Sequence, residues 1–380
     1  MSAFTTPILL LVSIAVGEVP HQPEINQYVA QQMTDLNIPG LSLAIVYKDD
    51  VYKNAWGQAN VELNVPATND TAYELASMSK PFLATAAVLL SRNANPPFAL
   101  EDEIRQHLPE LPGAWAGITV RYLLSHLSGI KEYLEIREFS TRREYSDADL
   151  LNFATSYPLN FAPGDRLDYT NTGYCVLAML IERTTGKSYG ETLKDRIFVP
   201  LGMRSTRVND STAIIPLRAA GYSFRFGRRF HADYVARSQL AFADCGVIST
   251  TNDLVLWDKE MWKIDSKILP QDLLAQMWTP AKLNDGTVTD YGLGWDLYFN
   301  DDGIVCQVAH GGAIEGFRSI IRRYLCDELS VIVLFNCELE AGKNYYFARD
   351  VADLVVGRKP AAPLAPGPGA EKRRTRLPRH

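Results

Sequence analysis

The sequence predicts an α+β protein, with strand-forming segments near both ends of the chain and a mostly helical region between them. Near the amino terminus, residues 41–58 form two runs of strand-type residues around an Asp-Asp turn, which is typical of a β-hairpin. Near the carboxyl terminus, residues 304–309, 317–325 and 329–336 are three short β-type runs with tight links, which predict an antiparallel meander. Residues 100–203 carry mostly helical patterns punctuated by proline and glycine.

The other elements follow in chain order from their apolar periodicity. Residues 24–36 form an amphipathic pattern that stops before a Pro-Gly pair, which predicts a first helix. The apolar runs 83–90 and 175–183 predict two buried helices. Residues 243–253 predict a turn that leads into a helix start, and an amphipathic pattern before Gly357 predicts a closing helix.

Composition excludes several classes of protein. The chain has 380 residues, of which 47% are hydrophobic and 22% charged, as in ordinary globular proteins. Its net charge of -6 predicts no general affinity for nucleic acid. No apolar run reaches the ~18 residues that a membrane-spanning helix requires. The five cysteines show no metal-binding spacing, so no zinc site is predicted, and their odd number leaves at least one thiol unpaired.

Both ends of the chain are expected to lie outside one folded domain, residues 18–358, with a helical subregion at about 98–240. Residues 7–17 have the length and hydrophobicity of a signal peptide, although residues 1–6 contain no Lys or Arg. We therefore expect residues 1–17 to be a signal peptide and the protein to be exported to a periplasmic or extracellular space. A buried first helix of a cytoplasmic protein is the alternative. Residues 359–380, with five prolines, are expected to be a disordered Pro/Arg-rich tail.

The strongest candidate for chemistry is Ser77-x-x-Lys80, directly before the apolar run 83–90. Pro81 is tolerated only in the first turn of a helix, so the helix is expected to begin near Ser77. Side chains three residues apart on a helix can meet, and an amine beside a serine can take its proton. An N-cap serine and a solvated lysine are the ordinary alternative.

Two further serine motifs compete with Ser77. The stretch from Ser128 to Lys131 repeats the S-x-x-K pattern, but in a glycine-broken segment. The stretch from Gly186 to Gly190 matches the G-x-S-x-G nucleophile elbow around Ser188. That motif needs a strand before its serine, whereas here a helical pattern precedes it, so we predict a helix–helix turn.

Two polar motifs follow Ser77 along the chain. Tyr169-x-Asn171 places a phenol and an amide on one loop that enters a helix. His310-Gly311-Gly312-Ala313 lies between two of the carboxyl-terminal runs, and its glycines are expected to let a substrate approach the strand backbone. A tight turn is the alternative.

Together these motifs resemble those of the serine β-lactamase and D,D-peptidase (penicillin-binding protein-like) family, on the side of the class C β-lactamases and family VIII esterases. That family carries S-x-x-K at a helix start, then Y-x-N on a loop, then K/H-x-G on a strand. Here the three motifs begin at Ser77, Tyr169 and His310, in the same order. Further matches are Leu-Ser-His-Leu-Ser-Gly at 124–129 and Tyr-Gly-Leu-Gly-Trp at 291–295. The histidine of the first, His126, is interpreted as structural.

The resemblance implies a β-lactamase/transpeptidase-like fold, in which both chain ends form one antiparallel sheet covered by helices, beside a mostly helical middle region. It implies that Ser77 is the nucleophile and that Lys80 and Tyr169 share the proton transfers as a coupled pair. Asn171 would bind the substrate, together with His310, Gly311 and Gly312. The oxyanion hole would be the backbone N–H groups of Ser77 and Ala313. No metal or cofactor is implied.

Two departures from the family pattern bear on the substrate. His310 stands where many relatives have Lys, and Gly311 stands where many have Thr or Ser. Both changes remove groups that bind a substrate carboxylate, so we expect an esterase or D-amino-acid peptidase with at most weak β-lactamase activity, acting on a small-molecule or peptide substrate. The alternatives are a penicillin-binding receptor that acylates without turnover, and an α/β-hydrolase that uses Ser188 with His310 and an acid such as Asp253.

Overall fold

An antiparallel sheet built from both ends of the chain forms the centre of the fold. Seven strands lie in the order β3-β2-β1-β12-β11-β10-β9, so that β1, near the amino terminus, pairs directly with β12, near the carboxyl terminus. The strands, in chain order, are β1 (Gly40–Tyr47), β2 (Asp50–Asn60), β3 (Val65–Pro66), β4 (Tyr73–Glu74), β5 (Arg207–Val208), β6 (Tyr222–Arg225), β7 (Arg228–His231), β8 (Val247–Ser249), β9 (Asp296–Phe299), β10 (Val305–Ile314), β11 (Phe317–Tyr324) and β12 (Leu329–Phe335). The predicted hairpin and meander are both confirmed, and they share one sheet.

Helices cover both faces of this sheet, α1 and α10 on one side and α2 and α8 on the other. The helices, in chain order, are α1 (Gln22–Asp35), α2 (Lys80–Ser91), α3 (Val120–Leu124), α4 (Asp147–Thr155), α5 (Asn171–Thr185), α6 (Tyr189–Leu193), α7 (Val199–Leu201), α8 (Thr251–Trp262), α9 (Gln271–Met277) and α10 (Lys343–Val355). A π-helical turn, Lys194–Phe198, joins α6 to α7. The predicted mostly helical middle region corresponds to α3 through α7, although its helices are short because proline and glycine interrupt them.

The structure is a computed structural model that describes residues 18–93, 96–210, 212–232, 235 and 243–360. The predicted signal peptide and all but the first two residues of the predicted tail lie outside the described residues. In the described part of the chain, no helix is both long enough and apolar enough to cross a membrane.

Strand β1 explains how the sheet holds the fold together. Leu43 and Ile45 face α1 and α10, while Ala44 and Val46 face the core around α2. Strand β1 is thus buried on both faces, unlike a surface hairpin. Helix α2 is buried along nearly its whole length, and its Phe82 stacks on Trp257 of α8 with 4.0 Å between ring centroids. The S-x-x-K helix therefore lies in the interior, as its apolar composition predicts.

Candidate active site

Ser77 lies on a short 3-10 turn, Ala76–Ser79, that leads into α2. Two neighbours anchor this turn: the Leu75 N–H donates to the Val247 carbonyl (2.9 Å), and the Leu75 carbonyl accepts from Ser319 Oγ (2.6 Å). Ala76 has a φ of 50°, a left-handed conformation that is strained for a residue with a Cβ. Ser77 is partly exposed, although the residues on either side of it are buried. The two hydrogen bonds thus fix the position of the turn, and Ser77 is its partly exposed residue.

Lys80 is fully buried beneath Ser77. Its Nζ donates to Ser77 Oγ (3.0 Å), to Asn171 Oδ1 (2.8 Å) and to the Asp244 carbonyl (3.2 Å). It also lies 3.4 Å from a carboxylate oxygen of Asp244. The contact that the S-x-x-K spacing predicts between Ser77 and Lys80 is present, and the ordinary alternative of a solvated lysine is wrong.

Tyr169 completes this cluster from the loop before α5. Burial raises the pKa of its hydroxyl group, Lys80 and Ser77 oppose that rise, and Lys80 Nζ lies 4.9 Å from the centre of its ring. His126 packs behind the phenol, with 4.1 Å between ring centroids, and its Nδ1 accepts the Thr170 N–H (3.2 Å). His126 is buried, so its position agrees with the structural role predicted for it.

The electrostatics of Lys80 and Tyr169 are coupled. Burial would lower the pKa of Lys80, but the Tyr169 phenol and the Asp244 carboxylate outweigh it and raise that pKa. Burial also raises the pKa of Tyr169, against the opposing effect of the Lys80 ammonium group. Near neutral pH the phenol is therefore protonated, and the charge that holds the Lys80 ammonium group is that of Asp244.

Asn171, the first residue of α5, is held from two sides. Its Oδ1 accepts from Lys80, while its backbone N–H donates to Glu132 Oε2 (2.5 Å) and its Nδ2 to Glu132 Oε1 (3.2 Å). Glu132 is buried, and burial raises the pKa of its carboxyl group against the opposing hydrogen bonds from Asn171. Glu132 thus orients both the start of α5 and the amide that faces Lys80.

His310, Gly311 and Gly312 lie inside strand β10, so the turn alternative for this motif is wrong. His310 is buried; its Nδ1 lies 2.8 Å from the Gly311 carbonyl and its Nε2 3.1 Å from the Tyr291 hydroxyl group. A carbonyl oxygen can only accept, so Nδ1 carries a proton. His310 is therefore built into the wall of the site, and its ring nitrogens contact protein groups.

Gly311 and Gly312 are closely covered by other parts of the protein at the positions where a side chain would begin. A Cβ atom at Gly312 would lie 1.9 Å from the Leu75 carbonyl oxygen, and one at Gly311 would lie 2.4 Å from the Tyr345 ring. The close approach that these glycines allow is thus made by the protein's own atoms. The approach of a substrate to the backbone edge of β10 stays a prediction.

Ala313 lies at the exposed end of β10. The Gly311 N–H donates to Tyr345 Oη (2.8 Å), on the side of β10 where Ala309 pairs with β9. Alternate N–H groups of a strand point to the same edge, so the Ala313 N–H points to that edge beyond the end of β9. Because Gly312 packs on Leu75, this edge runs beside the turn that carries Ser77.

The competing serine motifs serve local structure. The Ser188 side chain caps α6 in a capping box with Glu191, and Gly186 ends α5 in a left-handed conformation, as the predicted helix–helix turn requires. The Asp253 carboxylate accepts from the Ser205 N–H and the Thr206 hydroxyl group. The hydrogen bonds of Ser188, Asp253 and His310 lead to three different groups, so these residues do not form a catalytic triad.

Sequence reasoning missed the second layer of the site. Asp244, Glu132 and Tyr345 belong to no short motif, and each reaches the cluster only through tertiary packing. Asp244 lies in the turn predicted before α8, but nothing in its local sequence indicates that the turn closes over Lys80. The sequence singles out Tyr291, the partner of His310, only as the first residue of the Tyr-Gly-Leu-Gly-Trp motif.

Comparison with known proteins points to one family. The family model described as Beta-lactamase matches residues 25–353. The chain is 28% identical over 350 residues to a penicillin-binding protein of Bacillus subtilis (strain 168), covering 88% of this chain and 76% of that protein. It is 29% identical over 325 residues to a D-aminopeptidase of Brucella anthropi, covering 83% of this chain and 59% of that enzyme.

Solved structures agree with the sequence comparison. The octameric penicillin-binding protein homologue from Pyrococcus abyssi superposes with a TM-score of 0.75 at 26% identity, covering 89% of this chain and 78% of that one. The chain spans less than two thirds of the length of the Brucella D-aminopeptidase.

Proposed function

This chain belongs to the beta-lactamase family of serine hydrolases, as its ordered motifs predict, and on that premise we propose that it hydrolyses ester or amide bonds through an acyl intermediate on Ser77. The observation that carries the proposal is the 3.0 Å hydrogen bond between Lys80 Nζ and Ser77 Oγ, inside a cluster that also contains Tyr169 and Asn171. A nucleophile and its proton acceptor have to lie within this range.

In the proposed reaction, Ser77 Oγ attacks the carbonyl carbon while the Lys80–Tyr169 pair, after losing one proton to solvent, takes the hydroxyl proton. The pair then donates that proton to the leaving alcohol or amine, and an acyl ester remains on Ser77. Water repeats the sequence and releases the acid. Lys80 and Tyr169 act as one coupled unit because each shifts the pKa of the other.

The negative charge that develops on the carbonyl oxygen needs two donors. The backbone N–H groups of Ser77 and Ala313 are proposed to supply them, because the free edge of β10 runs beside the Ser77 turn. Asn171, oriented by Glu132, is proposed to hydrogen-bond the substrate.

The surroundings of the site support a substrate without a carboxylate near the scissile bond. His310 is enclosed, and at Gly311 the Tyr345 ring fills the place of a side chain. Arg318, opposite Ala313 on β11, donates to the main-chain carbonyls of Ile314, Phe317 and Leu339. Amides and esters of D-amino acids and neutral short-chain esters are the proposed substrates, consistent with a relative named as a D-aminopeptidase.

The test combines labelling with a substrate panel. After treatment with a fluorophosphonate, mass spectrometry should locate the adduct on Ser77; Ser77→Ala should lose labelling and hydrolysis, and Ser188→Ala should keep both. The panel is p-nitrophenyl butyrate, a D-alanine p-nitroanilide and nitrocefin, with nitrocefin expected to be the slowest. An adduct on Ser188 would refute the mechanism. A burst without steady release on every substrate would instead identify a receptor that acylates without turnover.

A further inference from the structure

The carboxylate of Asp244 is buried against the lysine of the active site. Asp244 is 2% exposed, and its Oδ2 lies 3.4 Å from Lys80 Nζ. Its other oxygen, Oδ1, accepts from Tyr133 Oη (3.1 Å) and from Cys175 Sγ (3.6 Å). Both carboxylate oxygens are therefore held, and the charge cannot turn away from Lys80 without breaking these bonds.

The reaction proposed above assigns no step to Asp244, yet a buried carboxylate is costly unless it is paired. The other acceptors of Lys80 Nζ, which are Ser77 Oγ, Asn171 Oδ1 and the main-chain carbonyl of Asp244, are neutral. A fully buried amine among neutral acceptors tends to lose its proton, because desolvation disfavours the charged form. The Tyr169 phenol and the Asp244 carboxylate oppose this tendency, and near neutral pH, where the phenol keeps its proton, the carboxylate is the opposite charge beside Lys80.

Other ionisable groups surround the ion pair, and their state decides whether Asp244 acts alone. Those that interact with the ion pair or with the groups around it are Tyr169, Tyr174, Cys245, Tyr133, Cys175, Glu132 and Tyr189. The rings of His126 and His310 lie near the Tyr169 ring. Burial raises the pKa of the four tyrosines and of Cys175, which are therefore neutral near pH 7. Burial also raises the pKa of Glu132, which favours its neutral form.

We propose that Asp244 is a positioning residue, a buried counter-ion that keeps Lys80 protonated in the resting enzyme and thereby sets the pH at which Ser77 becomes reactive. This inference rests on the proposed function, since it concerns the proton acceptor of Ser77. The Lys80–Tyr169 pair has to release one proton to solvent before it can accept the proton of Ser77. A carboxylate beside Lys80 favours the protonated form of the amine, so the proton is lost only at higher pH. The acid limb of the activity profile therefore lies at higher pH than it would without Asp244.

The experiment measures the rate of fluorophosphonate labelling of the full chain against pH for the wild type and for Asp244→Asn. The variant keeps the size and polarity of the side chain but removes its charge. Its acid limb is expected to move to lower pH by one unit or more. If the maximal labelling rate falls but the acid limb stays at the same pH, the role of Asp244 is merely structural and the inference is overturned.

Controls separate this inference from the proposed function. Tyr133→Phe removes one hydrogen bond to the same carboxylate without removing its charge, so its limb should stay within about 0.3 units of the wild type, well below the expected shift for Asp244→Asn. If Ser77→Ala still labels, the proposed function fails; if the wild type labels at Ser77 and the limb of Asp244→Asn does not move, only the inference fails.

A second measurement covers the case in which Asp244→Asn does not fold. A counter-ion matters only while Lys80 carries charge, so the substitution should be much less harmful when combined with Lys80→Met. The melting temperature of Asp244→Asn, Lys80→Met should therefore approach that of Lys80→Met alone. An equal loss in both backgrounds would overturn the inference.

Discussion

Tyr345 fills the space that a side chain at Gly311 would need: a Cβ atom there would lie 2.4 Å from its ring. The Tyr345 hydroxyl group accepts the Gly311 N–H (2.8 Å) and donates to Asp296 Oδ2 (2.9 Å). A Thr or Ser side chain at this position therefore does not fit here while Tyr345 keeps its place. The contact ties the carboxyl-terminal helix α10 to β10, the strand that carries His310 and Ala313.

This relationship predicts that Gly311→Ala will lower the free energy of unfolding by about 1–3 kcal/mol, the usual cost of overpacking. In a Tyr345→Ala background the same substitution should cost much less, because the ring is gone. Urea unfolding of the four proteins of this double-mutant cycle measures the difference. Additive losses would show that Tyr345 is not what excludes a side chain at position 311.

Glu132 is predicted to control activity through Asn171, whose backbone N–H and side-chain amide it accepts. Glu132→Ala should lower kcat/KM on p-nitrophenyl butyrate by about a hundredfold, because a displaced catalytic group loses its reactive geometry. Glu135→Ala is the matched control, since Glu135 lies three residues along and pairs with Lys131 at the surface. Equal kinetics for the two variants would contradict the role of Glu132.

Stability is predicted to depend on a buried ion pair beneath the sheet. Arg323 and Asp258 are both fully buried, with Arg323 Nη1 2.5 Å from Asp258 Oδ1. Burial raises the pKa of Asp258 against the opposing effect of Arg323. Asp258→Ala should therefore cost about 3–5 kcal/mol, because it leaves a buried guanidinium group unpaired.

Two companion variants test that explanation by thermal and urea unfolding. Replacing both partners, as in Asp258→Leu with Arg323→Met, should recover a large part of the loss. Asp195→Asn, at an exposed pair with Lys187, should leave the melting temperature unchanged. A double variant less stable than either single variant would refute the account.

The disulfide Cys306–Cys326 joins β10 to the turn after β11, across a sequence separation of 20 residues. Replacing both cysteines by serine should cost about 3 kcal/mol in unfolding free energy, from the chain entropy that the closed loop removes. Cys175, Cys245 and Cys337 are outside this disulfide and keep their thiol groups. Alkylation of the denatured protein should modify three cysteines before reduction and five after it, whereas five before reduction would contradict the disulfide.

We propose that the protein is exported, for two reasons: the apolar segment 7–17, and a disulfide of the kind that persists in oxidising compartments. Amino-terminal sequencing of protein from its native host should find a mature chain that begins after Gly17. A soluble cytoplasmic protein that retains Met1 would refute export.

The local sequence alone determined most of the elements and the positions of the reactive groups. Periodicity placed α1, the β1–β2 hairpin, the β10–β12 meander and α10, because each depends on contacts between residues close in the chain. The spacing of Ser77 and Lys80 predicted their contact for the same reason, since one helical turn brings them together.

Only the tertiary structure decided what surrounds those groups. Asp244 lies 164 residues from Lys80 along the chain, and Tyr345 lies 34 residues from Gly311, so no local pattern links either pair. Whether a glycine leaves room for a substrate or for a tyrosine ring depends on which distant segment packs there. The charge state of Lys80 likewise depends on desolvation and on a carboxylate that the fold delivers, and both exist only once the chain is packed.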